Sequence, residues 1–313
     1  MGRPTMLAKG ALGLYTETPL HCGAESATGY VDLPVQRERN TLYPLIPGST
    51  LKGVLRDELR QEGRLTADEV RYFFGADTDE DEKSPFPGNA VFGDGLLVAF
   101  PVRSSGAPFH WVTCPFVLER IFRAIGAPTG SISSPAKHTA WALGEGDVLL
   151  EELRVTRKPR PEIFSKTPDS PLSRVLALLP GDGQGFKYTR EIFPERFLVL
   201  SDEDFKELVE VGTEVLTRIK LNDLGTTTDV KPKEAKELGL PDGADLQGNL
   251  FVEEVVPPET LFLCPVRAHQ KWRRLADELG KLDVFRVGGD ETIGRGLTHL
   301  TWVPARSDAE KEG

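Results

Sequence analysis

Leu42-Tyr-Pro-Leu-Ile-Pro-Gly-Ser-Thr-Leu-Lys-Gly-Val-Leu-Arg-Asp-Glu-Leu-Arg60 reads as the entrance and body of a helix. Pro44 and Pro47 exclude a helix upstream, and Gly48 permits a sharp turn. Ser49 or Thr50 is placed to cap a helix whose apolar residues Leu51, Val54, Leu55 and Leu59 recur at helical spacing. The free N–H groups of a first helical turn suit a phosphate, and Lys52 and Arg56, four apart on one face, reach the same backbone. An ordinary capped helix with solvated charges has the same spacing, so the rest of the chain has to choose between the two readings.

Composition narrows the class. A chain of 313 residues with 39% hydrophobic and 27% charged residues is long enough for one large domain or two smaller ones. No apolar run reaches the length of a membrane span, and no secretory segment follows Met1-Gly-Arg-Pro-Thr, so the protein reads as cytoplasmic, with no membrane partner. Cys22, Cys114 and Cys264 are far apart, match no zinc spacing, and read as reduced core or near-core residues. The net charge of −10 argues against a generic nucleic-acid binder, unless basic residues such as Arg37, Arg39, Lys52 and Arg56 share one face and acidic runs such as Asp77–Glu82 lie elsewhere.

Working outward toward the N-terminus, Leu7–Tyr15 partly alternates and predicts a first strand that stops before Pro19. Roughly thirty residues then connect it to the helix, longer than an economical connector needs, and they carry His21, Glu25, Asp32, Arg37, Glu38 and Arg39. Asp32, between Val31 and Leu33-Pro34, has the chemistry to bind a divalent cation, orient a ribose 2′-hydroxyl or accept its proton, and equally to cap a local turn. His21 can move a proton near neutral pH or hold a phosphate, although a lone histidine is more often structural.

Toward the C-terminus, Thr66–Phe74 is a short helical pattern ending at Gly75. The acidic run after it lacks the glycine and the bidentate glutamate of a calcium loop. Val91–Val102 and Phe109–Cys114 read as strands, and Pro115 opens a helix over Phe116–Ile125. Residues 126–216 read as an insertion of helical character with short apolar patterns at Val175–Leu179 and Phe205–Val215. Lys187-Tyr-Thr-Arg190 within it sets charge beside a ring, as RNA contacts often do, or forms a surface loop. Arg218–Leu221 and Asn249–Val252, joined by a turn-rich segment, predict a hairpin arm. Glu253 and Glu254 follow on the returning strand, where alternation lets at most one of them readily join Asp32, unless both are solvent charges at a strand end. Thr260–Val266 reads as a strand, Ala268–Lys281 as an amphipathic helix with Trp272, Leu275 and Leu279 inward, and Val284–Val287 as a strand. In the loop that follows, Gly288, Gly289, Gly294 and Gly296 let backbone approach a ligand, and Arg295 adds a charge matched to phosphate. The Gly-Lys-Ser/Thr of a Walker loop is absent, so ATP hydrolysis is not indicated. The tail Arg306–Gly313 reads as disordered.

Two of these stretches together resemble the RAMP family of CRISPR effector subunits: the Pro47-Gly-Ser-Thr-Leu-Lys-Gly-Val-Leu-Arg56 helix entrance and the glycine-rich Val287-Gly-Gly-Asp-Glu-Thr-Ile-Gly-Arg-Gly-Leu297. Thr18-Pro-Leu-His-Cys-Gly23, Val31-Asp-Leu-Pro-Val-Gln-Arg-Glu-Arg39, Phe109-His-Trp-Val-Thr-Cys-Pro-Phe-Val-Leu-Glu-Arg120 and Leu250-Phe-Val-Glu-Glu-Val-Val-Pro-Pro-Glu-Thr-Leu261 are similar to one branch, the RNA-cutting backbone subunit of the type III-B, or Cmr, complex. The same stretches set it apart from the cutting subunit of the type III-A complex. The resemblance covers about residues 7–304.

It implies an α+β fold: a ferredoxin-like, RRM-like palm from about 7–125 and 255–304, helical insertions over about 126–216, and a protruding thumb hairpin over about 218–254. It also implies binding of guide RNA and endonucleolytic cleavage of complementary target RNA at regular intervals. Asp32 would be the principal catalytic residue and a possible ligand of Mg²⁺ or Mn²⁺, with His21 and Glu253 assisting. Val255 stands where relatives would carry an aromatic, which leaves a tyrosine role there without support. Ser49, Lys52, Arg56, Gly289, Gly294 and Arg295 would contact RNA. Partners would be guide RNA, target RNA, further copies of the chain in a head-to-tail filament, and other subunits of the complex. The alternative is a non-catalytic scaffold that only coats guide RNA and has no need of Asp32.

Overall fold

The computed structural model describes residues 7–24, 30–76, 87–125, 132–241, 244–268 and 272–305. Glu25, the run Asp77–Glu82, positions 269–271 of the expected Ala268–Lys281 helix and the tail Arg306–Gly313 lie outside them. The first strand, β1 (Leu7–Thr16), buries every residue from Ala11 to Thr16, because both of its faces are covered; that is why it alternates only in part. A two-residue strand, β2 (Leu45–Ile46), leads into helix α1 (Gly48–Gln61), whose Leu51, Leu55 and Leu59 are fully buried, as the spacing predicts.

The cap of α1 differs from the expectation. Pro47 is the N-cap residue and offers no side-chain bond, and Ser49 and Thr50 lie inside the first turn. Gly48 presses against the Phe92–Gly93 backbone, where an added Cβ would stand 2.8 Å from the Gly93 oxygen, so the helix begins one residue early. Its Gly48 N–H is accepted by Asp94 Oδ1 at 2.8 Å. Asp94 sits in the turn that splits the predicted Val91–Val102 strand into β3 (Ala90–Phe92) and β4 (Gly95–Arg103). Helix α2 (Ala67–Phe74) is closed by a Thr66/Glu69 capping box. Strand β5 (Phe109–Thr113) and helix α3 (Pro115–Ile125) follow as predicted, and α3 lies across β1, β4 and the later strand Leu261–Ala268.

The insertion is not simply helical. Besides α4 (Pro161–Phe164), α5 (Pro171–Leu176), α6 (Lys187–Arg196) and α7 (Asp202–Val211), it contributes β6 (Thr139–Ala142), β7 (Gly146–Leu150), β8 (Leu153–Pro159) and β9 (Phe197–Val199). These strands are short runs of buried small and β-branched residues, among them Ala140, Ala142, Val148 and Val155, and they extend the main sheet. A two-stranded arm then leaves the body: β10 (Glu214–Lys220) pairs with β11 (Asn249–Val255) from Glu214↔Val255 to Lys220↔Asn249, with α8 (Pro232–Glu237) between them. The chain returns through β12 (Leu261–Ala268), α9 (Trp272–Leu279) and β13 (Val284–Arg286). It ends in β14 (Leu297–Pro304), a strand the pattern reading did not separate from the glycine loop although Thr298 and Leu300 alternate inward.

The 12-stranded sheet runs β13-β14-β1-β12-β4-β5-β9-β6-β8-β7, with β2 on β4 and β3 on β12. Its centre, β14-β1-β12-β4, is antiparallel throughout and comes from the two ends of the chain, with α1 between β1 and β4 in sequence and α9 between β12 and β14. Cys22, Cys114 and Cys264 are free and buried, matching the core reading, and burial pushes the Cys22 thiol up to about 12. Among the described residues no helix is long and apolar enough to cross a membrane.

Asp94→Ala is expected to lower stability by about 1 kcal/mol through loss of the helix cap, with Asp94→Asn recovering most of it. Chemical denaturation measures the difference, and equal stability of Asp94→Ala and wild type would show that water caps α1 equally well.

Candidate functional site

Residues Val252–Glu254 of β11 are the point on which the candidate catalytic residues converge. The segment that carries Asp32 runs beside this strand in parallel, with Leu33 opposite Glu253. The N–H groups of Asp32 and Leu33 both donate to the Val252 oxygen at 3.0 Å, and the Glu254 N–H donates to the Leu33 oxygen at 2.9 Å. The Val252 N–H is taken by the Asp32 side chain, Oδ2, at 2.8 Å. Asp32 is exposed beside an open cavity of about 280 Å³ lined by Leu33, Asn249, Leu250 and Phe251. One carboxylate oxygen is thus tied to backbone while the residue as a whole faces solvent.

His21 follows directly on the Leu20↔Val256 bridge and is buried. Its Nδ1 stands 2.8 Å from the Glu254 backbone oxygen. A carbonyl only accepts, so Nδ1 carries the proton and Nε2 is left as the nitrogen that exchanges one. The same Nδ1 is 3.7 Å from Glu253 Oε1.

Glu253 is fully buried and lies among cations. Its Oε2 accepts from Arg218 at 2.9 Å and pairs with Arg295 at 3.1 Å, whereas Oε1 has no hydrogen-bond partner among the described residues. Asp290 completes the group, bonded to Arg218 and 3.7 Å from Arg295 Nε. A hydrogen bond with Glu253, and after it Arg218 and Arg295, hold the Asp290 carboxyl below its usual range against the opposing effect of burial. Two guanidinium groups therefore answer two carboxyls, and they join the arm (Arg218, Glu253) to the glycine loop (Asp290, Arg295). Sequence reading missed Arg218 and Asp290. Each lies in a stretch that was singled out, but 72 positions separate them and no spacing pairs them.

Glu254 points to the other side of β11, as alternation requires. Its carboxylate accepts from Arg37 at 2.6 Å, from the Thr213 hydroxyl at 2.6 Å and from the Val35 N–H at 2.9 Å. Burial raises its pKa, but these hydrogen bonds and the Arg37 charge outweigh burial and leave it below the ordinary carboxylate value. Both glutamates are buried and bonded, which overturns the reading of them as solvent charges at a strand end.

The glycine loop is laid against His21. Gly288 adopts φ +89° and approaches so closely that a Cβ would sit 2.3 Å from the His21 oxygen, and the Gly289 N–H donates to that oxygen at 2.8 Å. Gly289 thereby spends its N–H inside the protein, Gly294 is an exposed left-handed turn residue, and Arg295 is engaged with the acidic pair. On α1, Ser49 is exposed, while Lys52 and Arg56 are half-buried on one face. Partial burial, then the neighbouring Arg56, lower the Lys52 pKa. The charge of Glu291 contributes to a raised Glu58, behind burial and Glu62. In α6, Arg190 donates to the carbonyls of Leu176, Leu179 and Pro180, which makes Lys187–Arg190 a structural helix start and not a surface loop.

The donor set does not make a metal centre from protein alone. Among the described residues no three His, Cys, Asp or Glu side chains are grouped to hold an ion, Asp32 is a single carboxylate, and the Glu253–Asp290 pair is matched by arginines.

Two measurements check this geometry. Glu253→Ala leaves two partly buried guanidinium groups facing one carboxylate and is expected to cost about 3 kcal/mol in denaturation, well beyond Glu253→Gln. Glu254 has a folded-state pKa below its ordinary 4.5, so its contribution is present above about pH 4.5 and is lost as pH falls through the folded value. The stability gap between wild type and Glu254→Gln is therefore expected to close as pH drops from about 6 to about 3, and a constant gap would contradict the network.

Residues 14–299 match the RAMP superfamily model. The chain is 31% identical over 302 residues to the CRISPR system Cmr endoribonuclease Cmr4 of Pyrococcus furiosus, an alignment covering 93% of this chain and 94% of that protein. A crystal structure of Cmr4 superposes with a TM-score of 0.67 at 26% identity, covering 95% of this chain and 99% of that one. A crystal structure of oligomeric Cmr4 from Pyrococcus furiosus does so with a TM-score of 0.65 at 25% identity over 96% and 100%. A match that takes in most of the central sheet, the arm and the glycine loop places the chain in the RAMP superfamily.

Proposed function

We propose that this chain is the backbone subunit of a type III-B CRISPR effector complex in the cytoplasm, binding guide RNA and cleaving complementary target RNA at regular intervals. The observation that carries the reading is the convergence of Asp32 and His21 on the residues of β11 that flank Glu253, within a chain similar along nearly its whole length to a protein named as an endoribonuclease. The split βαβ pairing of β14-β1-β12-β4 supports a ferredoxin-like palm, and the separate β10–β11 sheet supports a thumb. Copies would stack head to tail along the guide beside the other Cmr subunits, each thumb displacing one target nucleotide.

Displacement breaks A-form geometry and frees the 2′-hydroxyl to line up with the adjacent phosphorus. Asp32, tied by one oxygen to Val252 and exposed, accepts the 2′-hydroxyl proton as its oxygen bonds to phosphorus. The P–O5′ bond breaks, and His21, exchanging a proton at Nε2, protonates the leaving oxygen. The products are a 2′,3′-cyclic phosphate and a 5′-hydroxyl. Glu253 holds the Arg218–Arg295 cluster against the His21 ring. Ser49, Lys52 and Arg56 on α1, with Gly289, Gly294 and Arg295 at the loop, form the guide-binding side. Mg²⁺ or Mn²⁺ is expected as a requirement of the assembled complex, with RNA phosphates supplying the ligands that the described residues lack.

In the complex assembled with a complementary RNA, Asp32→Asn is expected to bind as wild type does and to cut at least about 100-fold more slowly. If both cut alike, the chemistry resides elsewhere; if both bind and neither cuts with Mg²⁺ or Mn²⁺ present, the chain is a guide-coating scaffold. Chelation of divalent ions is expected to stop cleavage by wild type without dissociating guide RNA.

A further inference from the structure

The parallel ladder between β11 and the Asp32 segment is irregular in a particular way. Leu33 bridges Glu253 in the normal pattern, its N–H on the Val252 oxygen and its oxygen on the Glu254 N–H. The next rung of a parallel ladder would be the Val35 N–H on the Glu254 backbone oxygen. It goes instead to the Glu254 side chain, Oε2, at 2.9 Å, and the Glu254 backbone oxygen is left for His21 Nδ1 at 2.8 Å. The carboxylate thus stands in for the carbonyl of its own residue. It holds the Asp32 strand with one oxygen while the carbonyl holds the histidine.

We infer that Glu254 is a positioning residue that sets Asp32 and His21 at once, a role distinct from that of Glu253. Its second oxygen, Oε1, takes Arg37 and the Thr213 hydroxyl, each at 2.6 Å, and Arg37 also donates to the Leu42 oxygen at 2.6 Å. Glu254 is therefore fixed from the root of the arm and from the loop preceding α1. Without the carboxylate, the Val35 N–H has a nearby acceptor in the Glu254 carbonyl, in competition with His21. The histidine would lose the bond that assigns its proton to Nδ1, and the segment that carries Asp32 would shift along β11. This inference rests on the reading of Asp32 and His21 as the cutting residues, and both act only while held in register.

The test is single-turnover cleavage of a complementary RNA by the assembled complex across pH, with Glu254→Ala, Glu254→Gln and Asp32→Asn. Glu254→Ala is expected to cut about 10–100-fold more slowly with target affinity within about twofold of wild type, and to shift the limb of the pH–rate profile that reports the histidine. Glu254→Gln, whose amide oxygen still accepts the Val35 N–H, is expected to recover most of the rate and the wild-type profile. Should Glu254→Ala fail to assemble, Glu254→Asp keeps charge for Arg37 but withdraws the oxygens from Val35, and the same slowing is expected. Cleavage by Glu254→Ala or Glu254→Asp at the wild-type rate and pH dependence, with Asp32→Asn inactive, overturns the positioning role alone. An active Asp32→Asn overturns the underlying assignment of Asp32 instead.

Discussion

Backbone groups that are removed from water must be paired, and at residues 252–254 of β11 that requirement organises the whole site. One edge of the strand is occupied by β10, so the groups on the other edge take what the loop before α1 supplies. They are met by the backbone of Asp32 and Leu33, by the Asp32 carboxylate and by the ring of His21. Residues separated by more than two hundred positions in the chain are gathered because Val252 and Glu254 each present an N–H and a C=O on that edge. The arm is therefore also the floor on which the proposed cutting residues stand.

The second organising force is charge. The chain carries a net −10, yet its site is built with arginines: Arg218 and Arg295 on Glu253 and Asp290, and Arg37 on Glu254. Buried pairs of this kind contribute little net stability, because desolvation offsets most of the attraction, but removing one member leaves a costly orphan. Their effect is to fix geometry between the arm, the glycine loop and the loop before α1. Lys52 and Arg56 on α1 are of another sort, half-buried on one helix face, where burial and then the charge of Arg56 lower the lysine's pKa. An acidic protein can hold RNA with a small cationic face because affinity follows the local phosphate contacts, not the total charge.

Much of this was legible in the residues. Leu51, Leu55 and Leu59 announced α1, the short helical pattern Thr66–Phe74 ending at Gly75 announced α2, and Pro115 the start of α3, since each is a local rule acting on neighbours in sequence. The cap of α1 was not legible, because Asp94 reaches Gly48 across 46 positions and displaces the local candidates Ser49 and Thr50. Nor was the role of the glycines at the loop: spacing suggested approach to a ligand, but Gly288 and Gly289 approach the His21 backbone. Asp32 and His21 were singled out by resemblance, whereas Arg218, Asp290 and the double duty of Glu254 depend on tertiary pairing, which no periodicity encodes. Strand β14 was hidden by the glycine loop before it, and the sheet-extending strands of the insertion were too short to stand out from their helical surroundings.

In the proposed reaction the chain places a displaced ribose so that its own 2′-hydroxyl attacks the neighbouring phosphate beside Asp32. Cleavage of a target RNA carrying one 2′-deoxynucleotide, moved in turn through each position at which the assembled complex cuts, tests it most directly. Cutting should vanish only at the substituted position and persist at the others, with a 2′,3′-cyclic phosphate on the fragment 5′ to each cut and a 5′-hydroxyl on the fragment 3′ to it. Undiminished cutting at a deoxy position would contradict the account and point to attack by water.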